Sequence, residues 1–168
     1  NAKAQARAVY HGVLRDLLVK EYGYDRIEVI KVSKGGYQAH QAIRNFDKEV
    51  LALKPNLVIL AFGAADTLYS DVNTFIQAER KMADLLQQKG IDVILFKPTP
   101  VAFKVPAGEA FAKAVRAYTW PRRIPTADMR AALLSQGETF LGQWLCDGVH
   151  PNQRAHELMG RILFEMLK

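Results

Sequence analysis

The sequence is poor in the residues that carry most metal, redox and cofactor chemistry. It has one cysteine, Cys146, so no internal disulfide can form and no Cys/His cluster of zinc spacing exists. Its four histidines, His11, His40, His150 and His156, match no metal-ligand spacing. No Walker loop is present, and Gly35-Gly36 is too short for a dinucleotide fingerprint. No metal and no cofactor is therefore expected. Apolar runs are all too short for a membrane span. The opening stretch NAKAQARAVYHGV lacks the charged-apolar-small order of a signal peptide. Serine is scarce: Ser33, Ser70 and Ser135 are the three, and none follows a Gly-Asp pair.

What is present describes one globular domain over residues 1–168, a length that supports a full core. Hydrophobic residues at 49% and charged residues at 24% exclude a disordered chain. The formal net charge is +6, yet the basic residues are spread along the chain. The tightest cluster, Trp120-Pro121-Arg122-Arg123, is short, and aromatic and basic residues do not interleave, so no nucleic-acid partner is expected.

Periodicity predicts helices and strands in alternation. Residues 2–22 carry Val9, Val13, Leu14, Leu17 and Leu18 as a helical stripe that stops at Gly23. Residues 27–33 (IEVIKVS) read as a strand with one less buried face. Residues 40–53 return to helical period. Residues 57–62 (LVILAF) and 92–97 (DVILFK) read as buried strands. A polar loop is expected over 63–71, helices over 72–89, 108–118 and 129–134, and a weak strand over 124–128. A final helix is expected over 151–167, with Pro151 in its first turn. This order predicts an α/β domain with a parallel sheet covered by helices. Sites in such sheets lie beyond the carboxyl ends of the strands. The loops there are Lys34-Gly35-Gly36, Gly63-Ala64-Ala65-Asp66 and Pro98-Thr99-Pro100, with the Asp147 turn further on.

The turn Leu145-Cys146-Asp147-Gly148-Val149-His150-Pro151-Asn152 places an acid and a histidine three apart. An Asp there can hold the imidazole from its Nδ1 side and stabilise the imidazolium as it forms. Gly148 supplies freedom to turn. The competing reading makes Asp147 a helix cap and His150 a surface residue. Cys146 cannot easily face its neighbour's imidazole and is expected to be buried filler. His11 and His40 are expected on helix surfaces, and His156 on another face from His150. Tyr37 and the stretch from Phe103 to Gly108 are candidates for pocket walls by position alone.

Together, VSKGGYQ, AFGAADTL and DGVHPN resemble the SGNH (GDSL) hydrolase family. The resemblance implies a three-layer α/β/α flavodoxin-like sandwich that hydrolyses or transfers acyl esters. It implies Asp147 and His150 as two members of a catalytic triad, and Gly36, with Gly35 as fallback, as an oxyanion donor through its backbone N–H. Gly63 and Asp66 fit the ends of the family's Gly-x-Asn-Asp block. Ala65 stands where that block has Asn, so one oxyanion donor is missing, a loss that typically costs about 10²–10³ in rate.

The family's Gly-Asp-Ser block, which carries the nucleophile, has no match in these residues. In that fold the first strand lies mid-sheet, and this chain opens with a helix. Leaving its place empty would strand several buried backbone groups at roughly 1–3 kcal/mol each. That sum exceeds a typical stability of about 5–15 kcal/mol. The expectation is an upstream segment that completes the sheet and ends in Gly-Asp-Ser. The function implied is a serine ester hydrolase, with a small acyl group on a carbohydrate as the favoured substrate and an extracytoplasmic place favoured by the family. The alternatives are an acyltransferase of the same fold and a catalytically impaired binding or structural domain. A flavodoxin-like signalling or nucleotide domain would use Asp66 and leave the DGVHPN turn unexplained.

Overall fold

Two apolar runs and one late, short segment become parallel strands. In the computed structural model, which describes residues 9–23, 27–135 and 137–168, they are β1 (Leu57–Leu60), β2 (Asp92–Phe96) and β3 (Thr126–Ala127). Their order in the sheet is β1-β2-β3. Leu57 pairs with Asp92 and Leu60 with Leu95, while Leu95 pairs with Thr126 and Phe96 with Ala127. β2 sits between two partners, and Val93, Ile94, Leu95 and Phe96 are all buried. β1 has β2 as its one ladder partner among the described residues, and only Leu60 of its four residues is fully buried.

The helices are α1 (Tyr10–Tyr22), α2 (Ala39–Ala42), α3 (Phe46–Glu49), α4 (Ala64–Tyr69), α5 (Val72–Gln88), α6 (Val105–Thr119), α7 (Met129–Leu134) and α8 (Gln153–Leu167). The chain divides into two compact units. One is Val32–Ala132; the other joins the described part of Asn1–Lys31 to Leu133–Lys168.

In the unit Val32–Ala132, helices carry the chain from each strand to the next. Asp71 starts α5 by accepting the N–H of Thr74 at 2.9 Å, an N-cap bond. Phe75, Ala78, Met82, Ala83 and Leu86 then form a buried stripe at helical spacing, packed on α2, α6 and β2. Pro106 lies in the first turn of α6, where its missing N–H costs nothing. Phe111 of α6 meets Phe75 with ring centroids 5.2 Å apart. Burying a side chain of this size stabilises the fold by roughly 1.5–3 kcal/mol.

Three expectations in this unit and its border are corrected. Residues 27–33 form no strand. Their β-branched composition suits a strand, but none of the described residues supplies a ladder, and Ile30 and Val32 are left 50% and 43% exposed. The helix expected over 40–53 is broken into α2, α3 and two 3₁₀ turns. Asn45 leaves helical geometry at φ −119°, ψ 12°, consistent with its weak helix propensity, and Lys54 ends the segment at φ +51°. The loop expected over 63–71 is mostly α4, started by Asp66 reaching back to the N–H of Gly63.

In the other unit, α1 packs on α8. Leu14 and Leu18 are buried from α1, and Ala155, Met159 and Leu163 from α8. Gly160 permits the approach: a Cβ there would lie 2.6 Å from Cβ of Val13. The portion of the first helix expected over residues 2–8 lies outside the described residues. α8 starts later than the expected 151–167. Its cap is Asn152, whose Oδ1 accepts the N–H of Ala155 at 3.0 Å. Pro151 instead pairs with Leu145 in an isolated antiparallel bridge. No helix of the described residues is long and apolar enough to cross a membrane.

Candidate active site

The segment from Leu145 to Asn152 is pinched at its base. The N–H of Cys146 donates to the carbonyl of His150 at 2.8 Å, and the N–H of Asn152 to the carbonyl of Trp144 at 2.8 Å. The chain between them reverses at Gly148, whose φ of +82° suits glycine. Inside this loop Asp147 organises everything. Its Oδ1 accepts the N–H of Val149 at 3.1 Å and of His150 at 2.9 Å. Its Oδ2 lies 2.8 Å from Nδ1 of His150. An ionised carboxylate can only accept, so Nδ1 carries the hydrogen and Nε2 presents its lone pair.

The backbone N–H of His150, then its side chain, then the N–H of Val149 hold the Asp147 carboxyl well below the usual carboxylate range. It stays charged beside the imidazole, which is what stabilises an imidazolium. The helix-cap part of the competing reading is excluded, since Asn152 caps α8, while its other part stands: the His150 side chain is exposed. Asn152 also donates from Nδ2 to the carbonyl of Gln143 at 2.7 Å, fixing the loop to its base. Cys146 is exposed, contrary to the buried filler expected. Its Sγ lies 3.9 Å from the carbonyl oxygen of Pro151.

The other candidates lie in the unit Val32–Ala132. Gly36 has φ +71° with nothing within 4 Å of where a Cβ would stand. Conformation, not space, requires glycine there, in a turn where the N–H of Tyr37 donates to the carbonyl of Lys34 at 3.2 Å. Gly35 shows no such φ. Gly63 directly precedes α4, with φ +111°. Ala65 is the second residue of α4 and half-buried. Asp66 is wholly buried and accepts the N–H of Gly63 from one oxygen and the N–H of Ala39 from the other, each at 3.0 Å. Burial raises the Asp66 carboxyl, against the lowering effect of those two donors.

The sequence pattern of the GDSL-like lipase/acylhydrolase family matches residues 2–158. The chain belongs to this family. Its fold is shared with solved GDSL-type hydrolases of low sequence identity. A putative lipolytic protein of the G-D-S-L family from Desulfitobacterium hafniense is 23% identical, with a TM-score of 0.78, over 90% of this chain and 86% of that one. An acetyl xylan esterase is 17% identical with a TM-score of 0.87, over 95% and 91%. An acetylxylan esterase from Geobacillus stearothermophilus is 17% identical with a TM-score of 0.85, over 94% and 80%. Among curated protein sequences none matches.

For this GDSL-like hydrolase, the geometry adds residues that sequence reading passed over. Pro98 lies against Gly63: a Cβ on that glycine would stand 2.2 Å from the proline Cγ. Thr67 donates from Oγ1 to the carbonyl of Gly63 at 2.7 Å. Asp66, read only as the end of a motif, joins two loops. The Gly-x-x-Asp spacing signalled its bond to Gly63, but nothing local signalled Ala39. Tyr37 is half-buried, and its hydroxyl donates to the carbonyl of Gln41 at 3.2 Å. Phe103 is exposed. His40 lies in α2 and is half-buried, and His156 packs on Tyr10 with ring centroids 6.0 Å apart. Half-burial of His11 lowers its imidazole pKa, helped by Lys31.

Proposed function

We propose that this chain supplies the base and the oxyanion loops of a serine ester hydrolase. The observation that carries the reading is the 2.8 Å contact between His150 Nδ1 and Asp147 Oδ2, inside a turn whose own N–H groups hold the carboxylate. A serine hydroxyl attacks the ester carbonyl while His150 Nε2 takes its proton. The tetrahedral oxyanion is held by the N–H of Gly36 and the N–H of the serine. His150 then protonates the departing alcohol, and water releases the acid from the acyl-enzyme. Asp147 remains ionised throughout. No cofactor takes part.

The serine belongs to a strand ending in Gly-Asp-Ser that pairs with the edge of β1 that has no ladder partner among the described residues. Two features support this strand: among the described residues β1 has one ladder partner, and Ile30 and Val32 stand exposed in a β-branched segment that none of them pairs with. None of Ser33, Ser70 and Ser135 lies in such a block. A carbohydrate bearing O-acetyl groups is the substrate class we favour, supported by the fold likeness to acetylxylan esterases.

Ala65 favours a second reading, a catalytically impaired domain of the same fold, because a methyl group offers no donor where the family's block has an amide. Hydrolysis separates the two. Protein that includes the serine-bearing strand should release acetate from 4-nitrophenyl acetate and from acetylated xylan. A folded protein that releases none would leave the impaired domain as the account.

A further inference from the structure

Two loops distant in sequence converge on one buried carboxylate, which lies 27 residues after Ala39. Asp66 takes the N–H of Ala39 on Oδ1 and the N–H of Gly63 on Oδ2. Ala39 is the first residue of α2 and lies three residues after Gly36. Between them the chain is short and constrained, with the N–H of Gln38 donating to Oε1 of Gln41 at 2.9 Å. Gly63 is fixed independently: Pro98 blocks one side, and its carbonyl accepts both the hydroxyl and the N–H of Thr67, at 2.7 and 2.8 Å. A carboxylate gripped at both oxygens sets the separation of its two donors to its own width. Whatever holds Gly63 therefore also locates Ala39 and, three residues before it, Gly36.

Stability alone gives no reason for a carboxylate at this place. Asp66 is fully buried, and the carboxyl of Glu79, also buried, is close enough to feel its charge. An asparagine would fill the same volume without a charge. It has one acceptor oxygen, however, and its amide would set a donor against the second backbone N–H. Only the carboxylate satisfies both loops at once.

We propose that Asp66 is a positioning residue of the hydrolase, fixing the Gly36 loop against the loop after β1 so that the Gly36 N–H is held ready for the oxyanion. The proposal rests on the ester-hydrolase reading above. It places Asp66 outside contact with substrate, acting through Ala39 and Gly63.

The test uses protein that includes the serine-bearing strand, with 4-nitrophenyl acetate as substrate and amide hydrogen exchange as the structural readout. In Asp66→Asn, exchange at Ala39 and Gly63 should quicken by about tenfold or more while Leu95 of β2, whose N–H donates to the carbonyl of Pro125, keeps its protection. The value of kcat should fall roughly 10- to 100-fold with KM within about twofold. Ala39→Pro removes one donor from the other side, at a first-turn position that tolerates proline. Its kcat loss should overlap with that of Asp66→Asn in the double variant rather than multiply with it. Unchanged protection at Ala39 and Gly63, or quickened exchange with kcat untouched, would overturn the proposal. So would losses that multiply in the double variant. A wild-type protein without hydrolysis would instead overturn the ester-hydrolase reading, leaving the exchange result to report on the tie between the loops.

Discussion

A methyl group placed on Gly63 would stand 2.2 Å from Cγ and 2.5 Å from Cβ of Pro98. The loop after β1 is thus closed against the loop after β2, at a residue whose φ of +111° already excludes most side chains. Both penalties fall on Gly63→Ala. Backbone strain and overpacking each cost about 1–3 kcal/mol. Gly63→Ala should therefore lower unfolding stability by at least about 2 kcal/mol in urea titrations. Pro98→Ala in the same chain should recover only a small part of the loss, since it removes the contact with Cγ but leaves the 2.5 Å contact with Cβ and the strain. Wild-type stability in the single variant would contradict this packing.

Glu79 of α5 makes a second prediction. It is 1% exposed, and its Oε2 has no hydrogen-bond partner among the described residues. Burial, with the charge of Asp66 second, raises its carboxyl well above the ordinary value of 4.5. The folded protein then keeps a proton that the unfolded chain has released. Stability falls as pH rises from that ordinary value toward the raised one, and the cost is complete above it. Burial raises Asp66 as well, with a slope of the same sign. Glu79→Gln should match wild type near pH 4 and exceed it by about 1–3 kcal/mol near pH 8. Equal stabilities at both pH values in urea titrations would contradict it.

The reach of the sequence followed the reach of the contacts. Asp147 and His150 were legible because three residues and one turn bring them together. The segments at 57–60 and 92–96 were legible because buried parallel strands read as continuous apolar runs. Residues 27–33 misled for a physical reason: β-branched composition suits a strand, but only a neighbour makes one, and none of the described residues is that neighbour. Pro151 was misplaced because proline suits the bridge with Leu145 as well as a first helical turn. The bond from Ala39 to Asp66 and the contact of Gly63 with Pro98 join distant segments, and no local pattern encodes either.

Asp147 orients its histidine through three contacts to one carboxylate. Asp147→Asn replaces a double acceptor with one acceptor and one donor, and the donor turns the imidazole toward the wrong tautomer. In protein that includes the serine-bearing strand, kcat should fall by about 10²–10⁴. The melting transition should move far less, since the group is exposed. Steady-state kinetics with 4-nitrophenyl acetate checks this, and a loss below about tenfold would remove Asp147 from the triad.

Ala65→Asn restores an amide where the family's block has one. If the loop after β1 faces the oxyanion, that donor should raise kcat by about tenfold or more toward the 10²–10³ such a group typically contributes. No gain, in a protein with working serine and histidine, would place the oxyanion elsewhere.

The central claim is that His150 acts as base toward a serine. Fluorophosphonate labelling of protein that includes the serine-bearing strand, read by peptide mass spectrometry, tests it most directly. The account predicts one modified residue, the serine of a Gly-Asp-Ser block, with labelling slowed by about 10²-fold or more in His150→Ala. Absence of labelling in the folded protein, or labelling at the wild-type rate in His150→Ala, would contradict it.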